Sequence, residues 1–411
     1  MQTISATYRV TTPMFLGGAE QQAELRLPSF KGVLRFWWRA LAWRAFKHNL
    51  SEIRKAEADL FGSADVGQSR LLMRWRVSGL QQPFRDRLSA GLTYLAGMGL
   101  CRPNGELNRE AITPGVRFTV EIALKKTLER TQTELLRRSL ITIGLVGGLG
   151  ARTRRGYGSL TLEQLHGLEN AWSRPTSLSE VERQFQLLLN SDASLNAPEP
   201  PFTAFCPSTR ILLIQAQQRK TSVGLLESLG NELLRYRSYG RAIGSGGRQN
   251  TLGEQAENRF PADHDAMRDY LASGHQPTTL PERGVFGLPH NYFFGSLSQG
   301  RDLQVKADVT PASHDRRASP LFFHVLDCDK EQPAAVTAFI PAQFLPVGEQ
   351  IRVADTSKDR RRDGPRRRRQ SPVEMPVPQN AWRPIHDFLN RLLDPKQRKE
   401  PFGTVTKVTH G

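Results

Sequence analysis

Lys31, Arg35 and Arg39 recur at a spacing of four within Leu27-Pro28-Ser29-Phe30-Lys31-Gly32-Val33-Leu34-Arg35-Phe36-Trp37-Trp38-Arg39. Wound as a helix at about 100° per residue, Leu34, Trp38, Leu41 and Ala45 form a core stripe, and the three cations make a basic ridge beside it. Cations on consecutive turns match the charges that repeat along a phosphate backbone. Few acidic residues of the same helix oppose them. Phe36 and Trp43 fall on the far side. A helix apolar on two faces touches a second surface, either another domain or a partner subunit.

Two further stretches suit the same ligand. In Gly147-Gly148-Leu149-Gly150-Ala151-Arg152-Thr153-Arg154-Arg155-Gly156-Tyr157-Gly158 the glycines permit close backbone approach and leave N–H groups open, and Arg152, Arg154 and Arg155 add charge. Tyr157, like Trp37, is of a type that stacks on a base. The loop follows a helix, and Thr153 stands where a dinucleotide fingerprint needs its third glycine. A Walker A loop would need Gly-Lys-Ser/Thr. The third stretch, Arg235-Tyr236-Arg237-Ser238-Tyr239-Gly240-Arg241, continues to Gly244-Ser245-Gly246-Gly247-Arg248. With Arg235, Arg241 and Arg248 among tyrosines it fits single-stranded nucleic acid, and it fits a linker equally well.

Signals for catalysis are sparse. The nine histidines are scattered. Asp263-His264-Asp265 and His314-Asp315 lack the spacing of a closed metal site. His48, just beyond the first helix, is a capping or surface residue, or alternatively a general acid/base for metal-independent RNA cleavage. Nucleophile elbows and framed carboxylate pairs are absent, so the expectation is a protein that is not an enzyme, with no catalytic residue, no metal and no cofactor.

These residues must be positioned by ordinary elements. Ile4 to Val10 alternates as a half-buried strand, and a helix is predicted over Phe30 to Lys47 with Ser29 as its N-cap after Pro28. Leu71 to Val77 and Val116 to Ile122 read as strands, Leu128 to Leu145 as a helix, and Ser159 to Leu162 as a strand. The order β-α-β-β-α-β predicts an α+β, ferredoxin-like (RRM-like) domain whose Gly-rich loop joins the last helix to the last strand. Four prolines between Pro198 and Pro207 place a boundary, giving an N-terminal domain over 1–195 and a C-terminal domain over 202–411. In the latter, Arg210 to Gln217, Pro320 to Leu326 and Ala334 to Ile340 are predicted strands, and Gly224 to Tyr236 and Trp382 to Leu393 helices. Within 356–378, the twelve residues 358–369 carry eight cations against Asp359 and Asp363, which together with four prolines in the segment predicts a mobile basic insert.

The whole chain agrees with the local patterns. It has 411 residues with 57 Lys+Arg against 40 Asp+Glu, a formal charge of +17. A hydrophobic share of 38% supports real cores, and no run reaches the roughly 18 apolar residues of a membrane span. Cys101, Cys206 and Cys328 are far apart and odd in number, which fits a reducing cytoplasm rather than a disulfide framework. A basic cytoplasmic protein of this kind has a polyanion as its expected partner.

The stretches from Thr12-Pro13-Met14-Phe15-Leu16-Gly17-Gly18-Ala19 through Pro28 to Arg39 and Arg152 to Ser159 resemble RAMP proteins of type III CRISPR effectors. Within that superfamily they are most similar to the family of the first-numbered subunit of the type III-B Cmr complex. The resemblance is strong over about residues 3–165. It is weaker at Phe286-Gly287-Leu288-Pro289 and Arg317-Ala318-Ser319-Pro320-Leu321-Phe322, and it does not reach the Arg-rich insert. It implies two ferredoxin-like RAMP domains with insertions, and a non-catalytic, RNA-binding place in an antiviral ribonucleoprotein towards the guide's 3′ end. The implied partners are single-stranded guide RNA, complementary target RNA and other Cmr subunits, with no membrane. By position, Lys31, Arg35, Arg39 and the loop arginines are the implied RNA contacts. A guide-processing endoribonuclease and an assembly protein without a direct RNA role are the alternatives.

Overall fold

The computed structural model describes residues 2–20, 22–78, 83–169, 172–189, 198–244, 246–298, 302–328, 332–360, 366–378 and 380–408. Ile4, Ala6, Tyr8 and Val10 are all buried, so β1 (Thr3–Val10) has the expected half-buried alternation. Helix α1 (Leu27–Ala45) begins earlier than predicted. Arg26 is its N-cap and Pro28 occupies the first turn, where a missing N–H costs nothing; Ser29 therefore lies inside the helix. α2 (Leu50–Phe61), an element not expected from the sequence, is capped by Asn49, whose Oδ1 accepts the N–H groups of Ser51 and Glu52 at 3.1 and 3.2 Å. β2 (Leu71–Ser78), α3 (Ala90–Ala96), β3 (Arg117–Leu124), α4 (Arg130–Leu145) and β4 (Leu160–His166) follow. The sheet order is β2-β3-β1-β4 with every pair antiparallel, which is the ferredoxin-like arrangement. Tyr8 ties the layers together: its hydroxyl donates to the Leu140 carbonyl at 2.8 Å, and its ring packs on Phe30 and Phe118.

The chain continues through α5 (Leu178–Leu189), β5 (Arg210–Gln215), α6 (Ser222–Arg237), β6 (Arg241–Ile243), β7 (Gly247–Gln249), α7 (Pro261–Ser273), β8 (His290–Phe293), β9 (Leu303–Gln304), β10 (Lys306–Pro311), β11 (Leu321–Leu326), β12 (Ala334–Phe339), β13 (Ile351–Asp355), β14 (Lys358–Asp359), β15 (Val373–Met375), α8 (Arg383–Leu393) and β16 (Val405–Lys407). In chain order β5, α6, β11, β12, α8 and β16 repeat the βαββαβ pattern. Their sheet reads β11-β12-β5-β16, the same permutation as the first. The insertions after α6 and after β12 build the sheet β15-β13-β10-β8.

Two compact units result. One comprises Met1–Glu232, Leu321–Ala342 and Leu392–Gly411; the other comprises Leu233–Pro320 and Gln343–Arg391. The boundary expected between 195 and 202 separates the two ferredoxin-like sheets along the sequence, but the compact units are divided elsewhere, because both sheets share one core. Thr11 Oγ1 donates to the Val325 carbonyl at 2.5 Å, the Val325 and Asp327 N–H groups donate to Ser159 Oγ and Thr161 Oγ1 at 3.2 and 2.9 Å, and one apolar cluster runs from Ile4 and Val120 to Ile211 and Val336. Residues 190–197 lie outside the described residues.

The basic insert is also more anchored than expected where it is described. Arg367 donates to Asp355 Oδ2 and to the Leu271 carbonyl, each at 2.6 Å, and Arg369 donates to the Ser357 carbonyl at 3.1 Å. Arg361 and Arg362 lie outside the described residues. Among the described residues no helix is long and apolar enough to cross a membrane.

Candidate nucleic-acid interface

The basic ridge forms on α1 with the predicted spacing, but it carries a counter-charge from outside the helix. Glu57 of α2 has a nearly buried carboxylate. It takes an ion pair from Arg35 through Oε1, and from Arg39 at 2.5 Å to Oε1 and 2.9 Å to Oε2. Burial pushes the Glu57 carboxyl up, and hydrogen bonds and charge from Arg39 and Arg35 outweigh it, holding the group below its ordinary value. One carboxylate between two guanidiniums leaves a positive charge on the ridge. Lys31 adds another and has no carboxylate within ion-pair distance among the described residues. Partial burial first, and then the nearby charges of Arg35 and Lys125, lower the Lys31 ammonium from its ordinary value. Lys125 was not singled out from the sequence.

The Gly-rich loop is laced down rather than open. Leu149 N–H donates to Gly158 O, Ala151 N–H to Phe15 O, Arg155 N–H to Arg152 O, Gly156 N–H to Thr153 O and Gly158 N–H to Pro13 O, all within 3.0 Å. Those amides are satisfied inside the protein, so the loop acts by placing side chains, which corrects the expectation of free N–H groups. Gly158 is needed for the close approach: its φ is +63°, and a Cβ there would lie 2.0 Å from the Leu149 carbonyl oxygen.

The loop's side chains divide into two groups. Arg152, at φ +63°, is exposed. Arg154 is held between Phe36 and Phe322, its guanidinium 5.6 and 4.7 Å from the ring centroids, and burial pushes it down to about 10, so it remains charged. It therefore joins the loop to α1 and β11, and its carbonyl accepts the Phe323 N–H at 3.0 Å. Arg155 is half-buried beside Phe323. Tyr157 is fully buried, donates to the Leu92 carbonyl at 2.8 Å and meets Phe15 edge-on, which excludes base stacking. Trp37 is excluded likewise, being buried against Phe36, Phe205 and Phe322. Between the start of α1 and the loop remains a cleft of about 240 Å³ lined by Gly32, Val33, Phe36, Gly148, Thr153 and Arg154, among others.

The partner-contact expectation for Phe36 and Trp43 resolves into intramolecular packing. Trp43 is buried against Phe202 at 5.7 Å between centroids, and Phe36 is half-buried between Trp37 and Arg154. The second apolar face of α1 thus meets the segment leading into β5, whose aromatic residues Phe202 and Phe205 carried no signal in the sequence. His48 lies at φ +66° with its ring 5.0 Å from Trp43, a helix-end packing role.

The third stretch folds in the other unit as the β6–β7 hairpin. Arg241 is exposed there. Arg248 is turned inward: it lies 3.7 Å over the Tyr239 ring and donates to the Tyr239 and Gly240 carbonyls at 2.9 Å each. Arg235 is nearly buried and holds Glu254 through two bonds of 2.8 Å, so it is structural rather than a ligand contact. Asp263 is buried and accepts the N–H groups of Glu282 and Arg283 at 2.7 and 2.8 Å, while His264 pairs with Asp265. Among the described residues no cluster of three or more His, Cys, Asp or Glu is placed to hold a metal ion.

Comparison with known proteins now decides the family. The RAMP superfamily profile matches residues 7–161. The CRISPR system Cmr subunit Cmr1-2 of Pyrococcus furiosus is 32% identical over 176 residues, which cover 38% of this chain and 91% of that protein. The chain belongs to the Cmr1 family. A second Cmr1 relative, Cmr subunit Cmr1-1 of the same organism, is 33% identical over 143 residues, or 34% of this chain and 40% of its own length. The crystal structure of Cmr1 from Pyrococcus furiosus in its apo form shares the fold, with a TM-score of 0.51 at 19% identity over 99% of both chains. This Cmr1-family chain is thus a RAMP subunit of the type III-B CRISPR kind.

Proposed function

We propose that this Cmr1-family subunit is a non-catalytic RNA holder of a type III-B CRISPR ribonucleoprotein. Lys31, Arg35, Arg39 and Arg152 grip the phosphates of single-stranded guide RNA and of complementary target RNA towards the guide's 3′ end. Other Cmr subunits are its protein partners. The observation that carries the reading is the α1 ridge, where among the described residues Glu57 is the one carboxylate paired with two guanidiniums and none pairs with Lys31, beside a cleft lined in part by the Gly-rich loop. Contacts of this kind are electrostatic and indifferent to sequence. Arg154 serves by fixing the loop against Phe36 and Phe322 rather than by touching RNA.

The test is double charge reversal, Lys31→Glu with Arg152→Glu, measured by anisotropy on several labelled single-stranded RNAs. Affinity falls for all sequences alike, and the slope of log affinity against log salt shrinks by about 0.7 for each phosphate the variant no longer neutralises. Unchanged affinity, or a loss confined to one sequence, refutes the assignment.

A further inference from the structure

Phe293, at the end of β8, is 50% exposed and is the one aromatic ring among the exposed large apolar side chains of the described residues. It lines a cavity of about 480 Å³ together with Lys358 of the short strand β14 and Arg360, the residue after it. That volume lies in the roughly 300–1,000 Å³ range of small-ligand sites. Strand alternation decides the cavity's charge. Lys358 and Arg360 are exposed on one side, whereas Asp359 between them turns away, its carboxylate accepting the Arg367 N–H at 2.8 Å. β14 is held in place by pairing Lys358 with Gln304, and Arg360 N–H donates to the Asp302 carbonyl at 2.6 Å. Among the described residues the lining contains no carboxylate. Lys306, paired with Asp308 at 2.8 Å, holds its Nζ 5.4 Å from the Phe293 centroid. Gly295, also in the lining, has open space where a Cβ would be.

An exposed aromatic face beside two cations is the combination that holds a base and its phosphate together. We propose that this cavity is a subsite for one unpaired nucleotide of single-stranded RNA, the base stacking on Phe293 and the flanking phosphates meeting Lys358 and Arg360. This rests on the RNA-holding reading above and assigns a role to the basic insert. Every base has a π-face, so the subsite is sequence-tolerant, and a paired base in a duplex cannot enter it.

The test uses the full-length protein with single-stranded RNA carrying 4-thiouridine, irradiated and mapped by peptide mass spectrometry. Anisotropy is run in parallel on wild type, Phe293→Leu and the pair Lys358→Glu with Arg360→Glu. The expected result is a crosslink on the peptide containing Phe293 and about a tenfold loss of single-strand affinity for Phe293→Leu, with an unchanged melting curve. Fully paired RNA is bound by that variant as by wild type. Normal RNA binding with no crosslink at Phe293 and no loss in either variant overturns the subsite while leaving the α1 interface standing. Absence of any RNA binding by wild type overturns both. Displacement of the crosslink by free mononucleotide at micromolar concentration overturns the strand assignment in favour of a soluble ligand.

Discussion

At the scale of single residues, Glu57 sets the strength of the candidate interface. It is the one carboxylate on which both Arg35 and Arg39 close. Removing its charge should loosen the α1–α2 contact and release the ridge at once. Glu57→Gln is expected to lower stability by about 1–2 kcal/mol in urea unfolding, less than a fully buried pair would cost because both arginines remain partly solvated. It should also tighten RNA binding at low salt and steepen the salt slope. Weaker binding would mean that Glu57 positions the arginines for RNA rather than competing with it. Tyr157 gives the opposite pattern. Tyr157→Phe should cost about 1 kcal/mol, the worth of its hydrogen bond to the Leu92 carbonyl, and leave RNA affinity unchanged. An affinity loss without a stability loss would restore the stacking role. The sequence showed which cations lie on one face, since helical spacing is local information. It could not show Glu57 as their partner, nor that Tyr157 is buried, because both depend on contacts with elements distant in the chain.

At the scale of elements, the Gly-rich loop and β11 are joined by His324, which is fully buried with Nδ1 2.6 Å from the Gly147 carbonyl. Burial pushes its imidazole down to about 4. An unfolded histidine takes up its proton near pH 6.5, and this folded one does not until about 4. Stability therefore falls as pH drops through that window, by of order 3 kcal/mol in total. His324→Asn keeps a donor near the Nδ1 position and removes the titration. Its melting temperature should lose less than wild type between pH 6.5 and 4, and parallel curves would contradict the assignment. Gly158→Ala should destabilise by at least about 2 kcal/mol, since a methyl cannot fit against the Leu149 carbonyl at that φ. Most elements of the first ferredoxin-like sheet were legible because β1, β2 and β3 pair or alternate in simple periods. α2 was missed although Asn49, Ile53, Leu60 and Phe61 carry a cap and a helical stripe. β11 and β12 were legible as strands from the apolar runs Pro320 to Leu326 and Ala334 to Ile340 although they are buried at every position, whereas the second βαββαβ order emerges only once the insertions are removed.

At the scale of the whole molecule, a formal charge of +17 favours a polyanionic partner such as the proposed RNA, and the fold decides which cations could meet it. Arg154, Arg235, Arg248 and Arg367 are engaged in ring contacts, ion pairs or carbonyl contacts within the protein. Counting arginines along the sequence therefore overstates the interface, and the Arg–Tyr stretch at 235–248 is in large part the framework of a hairpin. The central claim is that this Cmr1-family chain holds RNA through phosphate contacts and does not cut it. The most direct measurement is a gel in which purified, nucleic-acid-free protein is titrated onto end-labelled single-stranded RNA in EDTA at low and moderate salt. The expected result is retardation that weakens steeply with salt and RNA of unchanged length. Discrete shorter products formed in EDTA, or retardation indifferent to salt, would contradict it.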